Sequence, residues 1–188
     1  MTSLAEAVAA RLPAAVLGAE DGFGPTTVDV AADAWREVLA AARESGAVFF
    51  DFLTAYDELE AGFAVVAHVS TADAADHVLW RTRLPREQPA LASITGVYRG
   101  AGWHERETAE MFGIDFPGHP GLTPLLLPDG FDARPLRKDF VLASRVAKAW
   151  PGGKDPADPP GGAPSRRAMA PPGVPADWAK DPQPQEPA

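Results

Sequence analysis

Apolar positions along this chain switch between a helical and an extended period. Leu4 to Leu17 is alanine-rich with apolar spacing near 3.6, which predicts a helix that Pro13 breaks or restarts. Gly18 to Pro25 reads as a loop, and Thr26 to Val30, alternating and β-branched, as a short strand. Ala34, Trp35, Val38, Leu39 and Ala42 fall on one face of a helix over Ala32 to Glu44, with Gly46 placed to end it. Val48 to Leu53 suits strand or helix and is read as strand. Phe63 to Ser70 and His77 to Leu84 alternate again, separated only by the polar Thr71 to Asp76, so an antiparallel hairpin is expected. His77, Arg81 and Arg83 then share its outer face, and His68 faces out or is partly buried.

Pro85 to Leu91 predicts a turn, and Ala92 to Tyr98 is ambiguous. Trp103 to Phe112 predicts a short helix, with Glu105 and Glu107 in its first turns, where the dipole favours carboxylates, and Gly113 at its end. Beyond Gly113 periodicity fails, because proline or glycine recurs every few residues as far as Pro135. Yet Ile114, Phe116, Leu122, Leu125, Leu126, Leu127 and Phe131 in this arm need burial, either under the domain's own sheet or under another subunit. The expected fold is α/β (α+β): a small mixed or antiparallel sheet with flanking helices, then a long extended C-terminal arm.

Composition divides the chain. At 188 residues, with 46% hydrophobic and 23% charged, it suits one globular domain. Nine of the twenty prolines lie in 1–150 and eleven in 151–188. We therefore read 1–150 as the domain and 151–188 as a Pro/Gly-rich tail, either disordered or a strap anchored by Trp150, Met169 and Trp178. The net charge of −9 is uneven: residues 1–80 carry three basic and thirteen acidic side chains, and 81–150 carry ten and eight. An acidic chain repels phosphate backbones, so nucleic acid is not an expected partner. The longest apolar runs, such as Ala47 to Phe50, fall far short of the ~20 residues that cross a bilayer. The first residues place Glu6 before Arg11 with no long apolar stretch, so neither a secretory signal nor a transit peptide is expected. With no cysteine there is no disulfide, no cysteine-ligated cluster and no cysteine nucleophile on this chain.

The densest chemistry lies between Trp103 and Phe140, and three readings compete for it. Glu107, Glu110 and His119, with His104 nearby, offer carboxylates and imidazoles for a metal or acid–base site in a free-standing hydrolase, although no HExxH spacing is present. Ser70, Ser93 and Thr108 lack the context of an activated nucleophile. The third reading is interfacial: Arg106 and Glu110 as i, i+4 neighbours, the apolar arm, then Arg137-Lys138-Asp139 suit a docking surface with charges at its rim.

Glu105-Arg106-Glu107, Phe112-Gly113-Ile114, Gly118-His119-Pro120, Leu125-Leu126-Leu127-Pro128 and Pro135-Leu136-Arg137-Lys138-Asp139 closely resemble, in order and spacing, the signature of the 30 kDa subunit family of respiratory complex I. The resemblance covers about residues 26–145, with a motif core at 103–140. The family often has Asp where Glu110 stands, two arginines where Thr123 and Pro124 stand, and Gly-His where Ala133-Arg134 stand. The resemblance implies a non-redox scaffold in the peripheral arm of proton-translocating NADH:quinone oxidoreductase. Such a scaffold sits on the cytoplasmic side of the bacterial inner membrane, docked on the D and B subunits near the quinone site and close to the I subunit. It implies no catalytic centre, metal or cofactor on this chain: FMN, iron–sulfur clusters, NADH and quinone belong to other subunits. Many relatives are fused to the D subunit, and this chain is too short for that fusion. The implied interface residues are Glu105, Arg106, Glu107, Gly118, His119, Pro120, Arg137, Lys138 and Asp139. Arg137→Ala is then expected to impair assembly more than folding. A sister complex, such as a membrane-bound hydrogenase or a deazaflavin-linked dehydrogenase, would use the same kind of scaffold.

Overall fold

The computed structural model describes residues 2–141. The tail expected over 151–188, with its candidate anchors Trp150, Met169 and Trp178, lies outside the described residues. Within them, five strands form one mixed sheet: β1 (Val16–Glu20), β2 (Thr26–Val30), β3 (Phe49–Asp57), β4 (Phe63–Ser70) and β5 (His77–Leu84), in the order β1-β2-β5-β4-β3. All neighbours are antiparallel except β2 and β5. Three α-helices, α1 (Leu4–Arg11), α2 (Trp35–Glu44) and α3 (Ala101–Phe112), and two single 3-10 turns, Ala32–Ala34 and Leu59–Ala61, complete the described part.

Burial follows the alternation that the sequence carries. In β4 and β5, Phe63, Val65, Ala67, Val69, Val78 and Trp80 enter a core shared with Trp35, Val38, Leu39 and Ala42 of α2. The hairpin pairs Phe63 with Leu84 and Ser70 with His77. Its opposite face carries half-buried Val66, His68, Leu79 and Arg81. The parallel pair is fixed by side chains. Arg81 donates two 2.7 Å hydrogen bonds to Asp29, its register partner, and Thr82 Oγ1 donates to the Val30 carbonyl at 2.8 Å. The guanidinium of Arg81 holds the Asp29 carboxyl below its ordinary range. On the same face His68 bonds Asp51 at 2.9 Å and faces His77 at 3.3 Å.

Two expected elements differ. The helix over Leu4 to Leu17 ends at Arg11, and Val16–Glu20 is an edge strand instead of helix and loop. Pro13 has no N–H and cannot extend the helix. Strand β1 pairs on one side only and is mostly exposed, so it carries no alternating signal. Strand β3 runs on to Asp57, four residues past the expected end. Gly62, at φ +100°, then turns the chain into β4; a Cβ there would lie 2.1 Å from the Leu84 carbonyl oxygen, so only glycine fits.

Candidate subunit interface

Helix α3 lies against β3, and its C-terminal turn organises the arm that follows. Gly113 ends it in the left-handed region at φ +72°, with its N–H on the Ala109 carbonyl. The α3 carbonyls that lack a helical partner are met by the arm's own arginines. Arg134 donates to the Glu110 carbonyl at 3.0 Å and Arg137 to that of Phe112 at 2.6 Å. A Cβ on Gly113 would meet both guanidinium groups, at 2.8 and 3.0 Å, so the glycine also makes room for the clamp.

Glu110 is the second fastening. Its carboxylate accepts the N–H groups of Leu125 (3.2 Å), Leu126 (2.8 Å) and Leu127 (3.0 Å). Burial pushes this carboxyl up, but the three amides, with Arg106 nearby, outweigh it and hold the group below its ordinary value. Arg106 donates to the carbonyls of Thr123 (2.9 Å) and Pro124 (2.6 Å), and its guanidinium lies 5.3 Å from the centre of the Trp103 ring. The expected Arg106–Glu110 interaction is thus not a direct pair. Each side chain grips the arm's backbone instead, because the arm supplies unpaired amides and carbonyls that need partners.

The far end of the arm is held at Asp57, whose side chain is 1% exposed. It accepts from Leu59 N–H (2.7 Å), Arg86 Nη1 (2.8 Å) and Lys138 N–H (2.9 Å). Arg86 bridges onward to Asp139 at 2.7 Å. The guanidinium groups of Arg86 and Arg137 lie 5.4 and 5.1 Å from the centre of the buried Phe63 ring. Burial raises the Asp57 carboxyl, yet the Lys138 amide, Arg86 and the Leu59 amide together hold it below its ordinary value.

These contacts relocate several residues expected at a partner surface. Glu105 is fully buried in its own chain, where it accepts from Ser93 Oγ (2.6 Å) and Ile94 N–H (2.7 Å). Helix α3 starts at Ala101, so Glu105 lies beyond the first turn and braces the 93–95 segment rather than the helix dipole. Arg137 spends its Nε on Phe112, and Asp139 pairs with Arg86, so both act first within this chain. These contacts keep the arm on the domain, and the Asp139 side chain is still 61% exposed. His119 donates from Nε2 to the Gly102 carbonyl (3.1 Å) and accepts Gly121 N–H at Nδ1 (3.0 Å), while Gly118 turns at φ +89°. Gly118, Pro120 and Lys138 are exposed, and Arg106, Glu107 and His119 half-buried.

The hydrolase set does not assemble. Glu110 is consumed by three amides and His119 by two backbone groups, and among the described residues no three carboxylates and imidazoles converge to hold a metal ion.

The arm's apolar residues divide between the two fates open to them. Ile114 and Phe116 are in the domain core, and Leu127 packs against it. Leu122, Leu126, Phe131 and Leu136 are exposed, as is Trp103 at 64%, which lines a shallow pocket with Leu126. The sequence picked out this helix and arm but not the internal work of Glu110, Arg106 and Asp57. Glu110 and Arg106 were legible as charges, and nothing in an alternating strand marked the final Asp57 as an anchor.

The buried Glu105 gives a clear prediction. Burial raises its carboxyl above the ordinary value of 4.5, against the opposing pull of Ser93 and the Ile94 amide. The native state therefore binds its proton more tightly than the unfolded chain does, and this group's contribution to stability falls as pH rises from 4.5 through the native value. Glu105→Ala strands two buried donors and is expected to cost about 2–4 kcal/mol. Glu105→Gln, able to accept from Ile94 and donate to Ser93, is expected to cost less and to flatten that part of the pH profile. Denaturant midpoints measured across pH 4–8 check both.

Comparison with known proteins fits this geometry. Residues 28–146 match the family described as respiratory-chain NADH dehydrogenase, 30 Kd subunit. The C subunit of NADH-quinone oxidoreductase from Roseiflexus sp. (strain RS-1) is 34% identical over 144 residues, covering 74% of this chain and 83% of that one. The C subunit of F(420)H(2) dehydrogenase from Methanosarcina mazei is 46% identical over 85 residues, 45% of this chain and 51% of the relative. The solved trypsin-resistant fragment (1-134) of Nqo5 superposes with a TM-score of 0.53 at 27% identity, over 60% of this chain and 92% of the fragment. A sheet, a short charged helix and an arm fastened to both are what the matched region contains, and the chain belongs to the 30 kDa subunit family of the respiratory-chain NADH dehydrogenase.

Proposed function

We propose that this chain is a non-redox scaffold in the peripheral arm of a proton-translocating NADH:quinone oxidoreductase. It docks on the D and B subunits near the quinone site, with the I subunit close by. It reaches the cytoplasmic face of the bacterial inner membrane only through these partners; no helix among the described residues is long and apolar enough to cross a membrane. FMN, the iron–sulfur clusters, NADH and quinone are held by the neighbours, and a chain without cysteine has no thiolates with which to hold a cluster of its own.

The observation that carries this reading is the fastened arm. Backbone with no regular structure is locked at Glu110 and at Asp57, while Leu122, Leu126, Leu136 and Trp103 are left facing outward. Apolar side chains held in place before docking lose little entropy when a partner covers them, and tryptophan and arginine together are the usual anchors of such contacts. Arg106, Glu107, His119, Arg137, Lys138 and Asp139 form the polar rim of that contact, with Gly118 and Pro120 among them.

A sister complex is the second reading, supported by the 46% identity with the F(420)H(2) dehydrogenase relative. Membranes from cells lacking this chain separate the two. Loss of NADH-driven quinone reduction, restored by the wild-type chain, is the expected result. Loss confined to reduced-deazaflavin-driven reduction favours the sister complex, and unchanged membrane electron transfer contradicts both.

A further inference from the structure

The C-terminal half of α2, the start of β3 and the 95–100 turn enclose an open groove of about 1000 Å³. Its apolar side is Ala40, Val48, Phe50 and Val97, with Val48 54% exposed. Two glycines narrow its wall without filling it. A Cβ on Gly100 would sit 3.3 Å from the Phe50 ring, and one on Gly96 would sit 3.1 Å from the Arg36 guanidinium. Tyr98, buried and bonded through its hydroxyl to the Ala47 carbonyl at 2.7 Å, fixes the turn against the entry to β3.

Some arginines of the domain are matched by carboxylates and others are not; Arg106, Arg134 and Arg137 lack one among the described residues but spend their guanidinium groups on backbone carbonyls. Arg11, Arg81, Arg83 and Arg86 each lie within 3.1 Å of a carboxylate. Arg36, Arg43 and Arg99, beside the 95–100 turn, have no carboxylate within ion-pair distance among the described residues. Arg43 is engaged by the Val97 carbonyl and lies over the Tyr98 ring, whereas Arg36 and Arg99 are exposed and make no side-chain hydrogen bond among those residues. The carboxylate lining the groove, Glu44, is already paired with Arg11 at 2.5 Å. A chain of net charge −9 thus holds unmatched positive charge at the lip of an apolar trough.

We propose that this groove seats a segment of a neighbouring subunit that inserts an apolar side chain beside Val48 and Phe50 and presents Asp or Glu to Arg99 and Arg36. This rests on the scaffold reading above and adds a second docking site to it. Guanidinium groups with no carboxylate partner among the described residues, at the rim of an apolar floor, are complementary to an acidic and apolar peptide and repel a basic one. Arg99 also lines a small pocket with Trp103, Arg106, His119 and Pro120, so the groove adjoins that end of the α3 surface.

The test uses the full chain in its complex. A photoreactive phenylalanine analogue replaces Val48, and cross-linked peptides are mapped after the complex has been isolated. The expected product joins position 48 to an acidic, apolar segment of another subunit, and Arg99→Glu lowers its yield at least tenfold. The Arg99 side chain makes no internal hydrogen bond or ion pair among the described residues, so the thermal midpoint of that variant should not move; a Lys placed at the mapped acidic residue should restore the yield. Cross-links to lipid, to a second copy of this chain or to its own residues 142–188 overturn the proposal, as does an assembled complex with no cross-link. Failure of the unsubstituted chain to assemble with any subunit strikes the scaffold reading itself, so the two failures are told apart.

Discussion

Asp57→Ala is expected to cost the domain about 3–5 kcal/mol, because it removes one member of a buried ion pair and leaves its partners unmatched. The carboxylate accepts from three donors that belong to three different segments: Leu59 after β3, Arg86 after β5 and Lys138 at the end of the arm. Without it, Arg86 retains the Leu59 carbonyl and, as its only carboxylate among the described residues, Asp139, whose side chain is 61% exposed and therefore well screened. The Lys138 amide loses its acceptor, and the arm's C-terminal end is released from Phe63. Arg86→Met in the same background should recover part of the loss, since the stranded guanidinium is then gone. The pH dependence has a definite sign. Asp57 ionises below the ordinary aspartate value of 3.8, so its contribution is present in full above that value and drains away as pH falls through the native value. Denaturant unfolding at pH 7 and at pH 3–4 measures both effects; a loss under about 1 kcal/mol at pH 7 would mean that the buried pair is not the anchor described.

Glu110→Ala acts on the arm more than on the domain. Three consecutive amides share one carboxylate, and a net hydrogen bond to a charged group contributes about 1.5–3 kcal/mol. The three are not additive, and a local loss of about 3 kcal/mol is a reasonable expectation, equal to roughly a hundredfold faster hydrogen exchange at Leu125, Leu126 and Leu127. The global unfolding midpoint should move far less, because Ile114 and Phe116 keep the start of the arm in the core. Assembly should suffer most, since the exposed Leu126 is no longer held in place. Glu110→Asp, one methylene shorter, should retain part of the protection. If exchange at the three leucines is unchanged in Glu110→Ala while assembly still fails, the carboxylate contacts a partner instead of the arm.

The fold was largely legible because its core strands carry strict alternation. Phe63 to Ser70 and His77 to Leu84 announce both their faces and their pairing, and Ala32 to Glu44 its buried stripe. The sequence failed at β1, where an edge strand with four exposed residues has no pattern to read. The internal contacts of the site's charged residues were not legible. Charge identity locates Glu105, Arg106, Glu110 and Arg137 near one another, but charge alone does not say whether a group faces a partner or its own backbone. An arm built from proline and glycine leaves amides and carbonyls unpaired over more than twenty residues, and its nearest charges are drawn inward to satisfy them. Arg137 illustrates the consequence: its guanidinium caps α3 and lies over Phe63, so Arg137→Ala loosens this chain's own arm before it affects any partner.

That this chain works only as part of a larger redox assembly is tested most directly by isolating the tagged full-length chain from solubilised native membranes. Every co-eluting subunit is quantified, and the iron–sulfur signals of the eluate are recorded. The predicted result is one copy of this chain with stoichiometric partner subunits, and cluster signals that are absent from the same chain expressed alone. Recovery of the chain by itself, as a stable monomer with no partner and no cluster-bearing subunit, would contradict it.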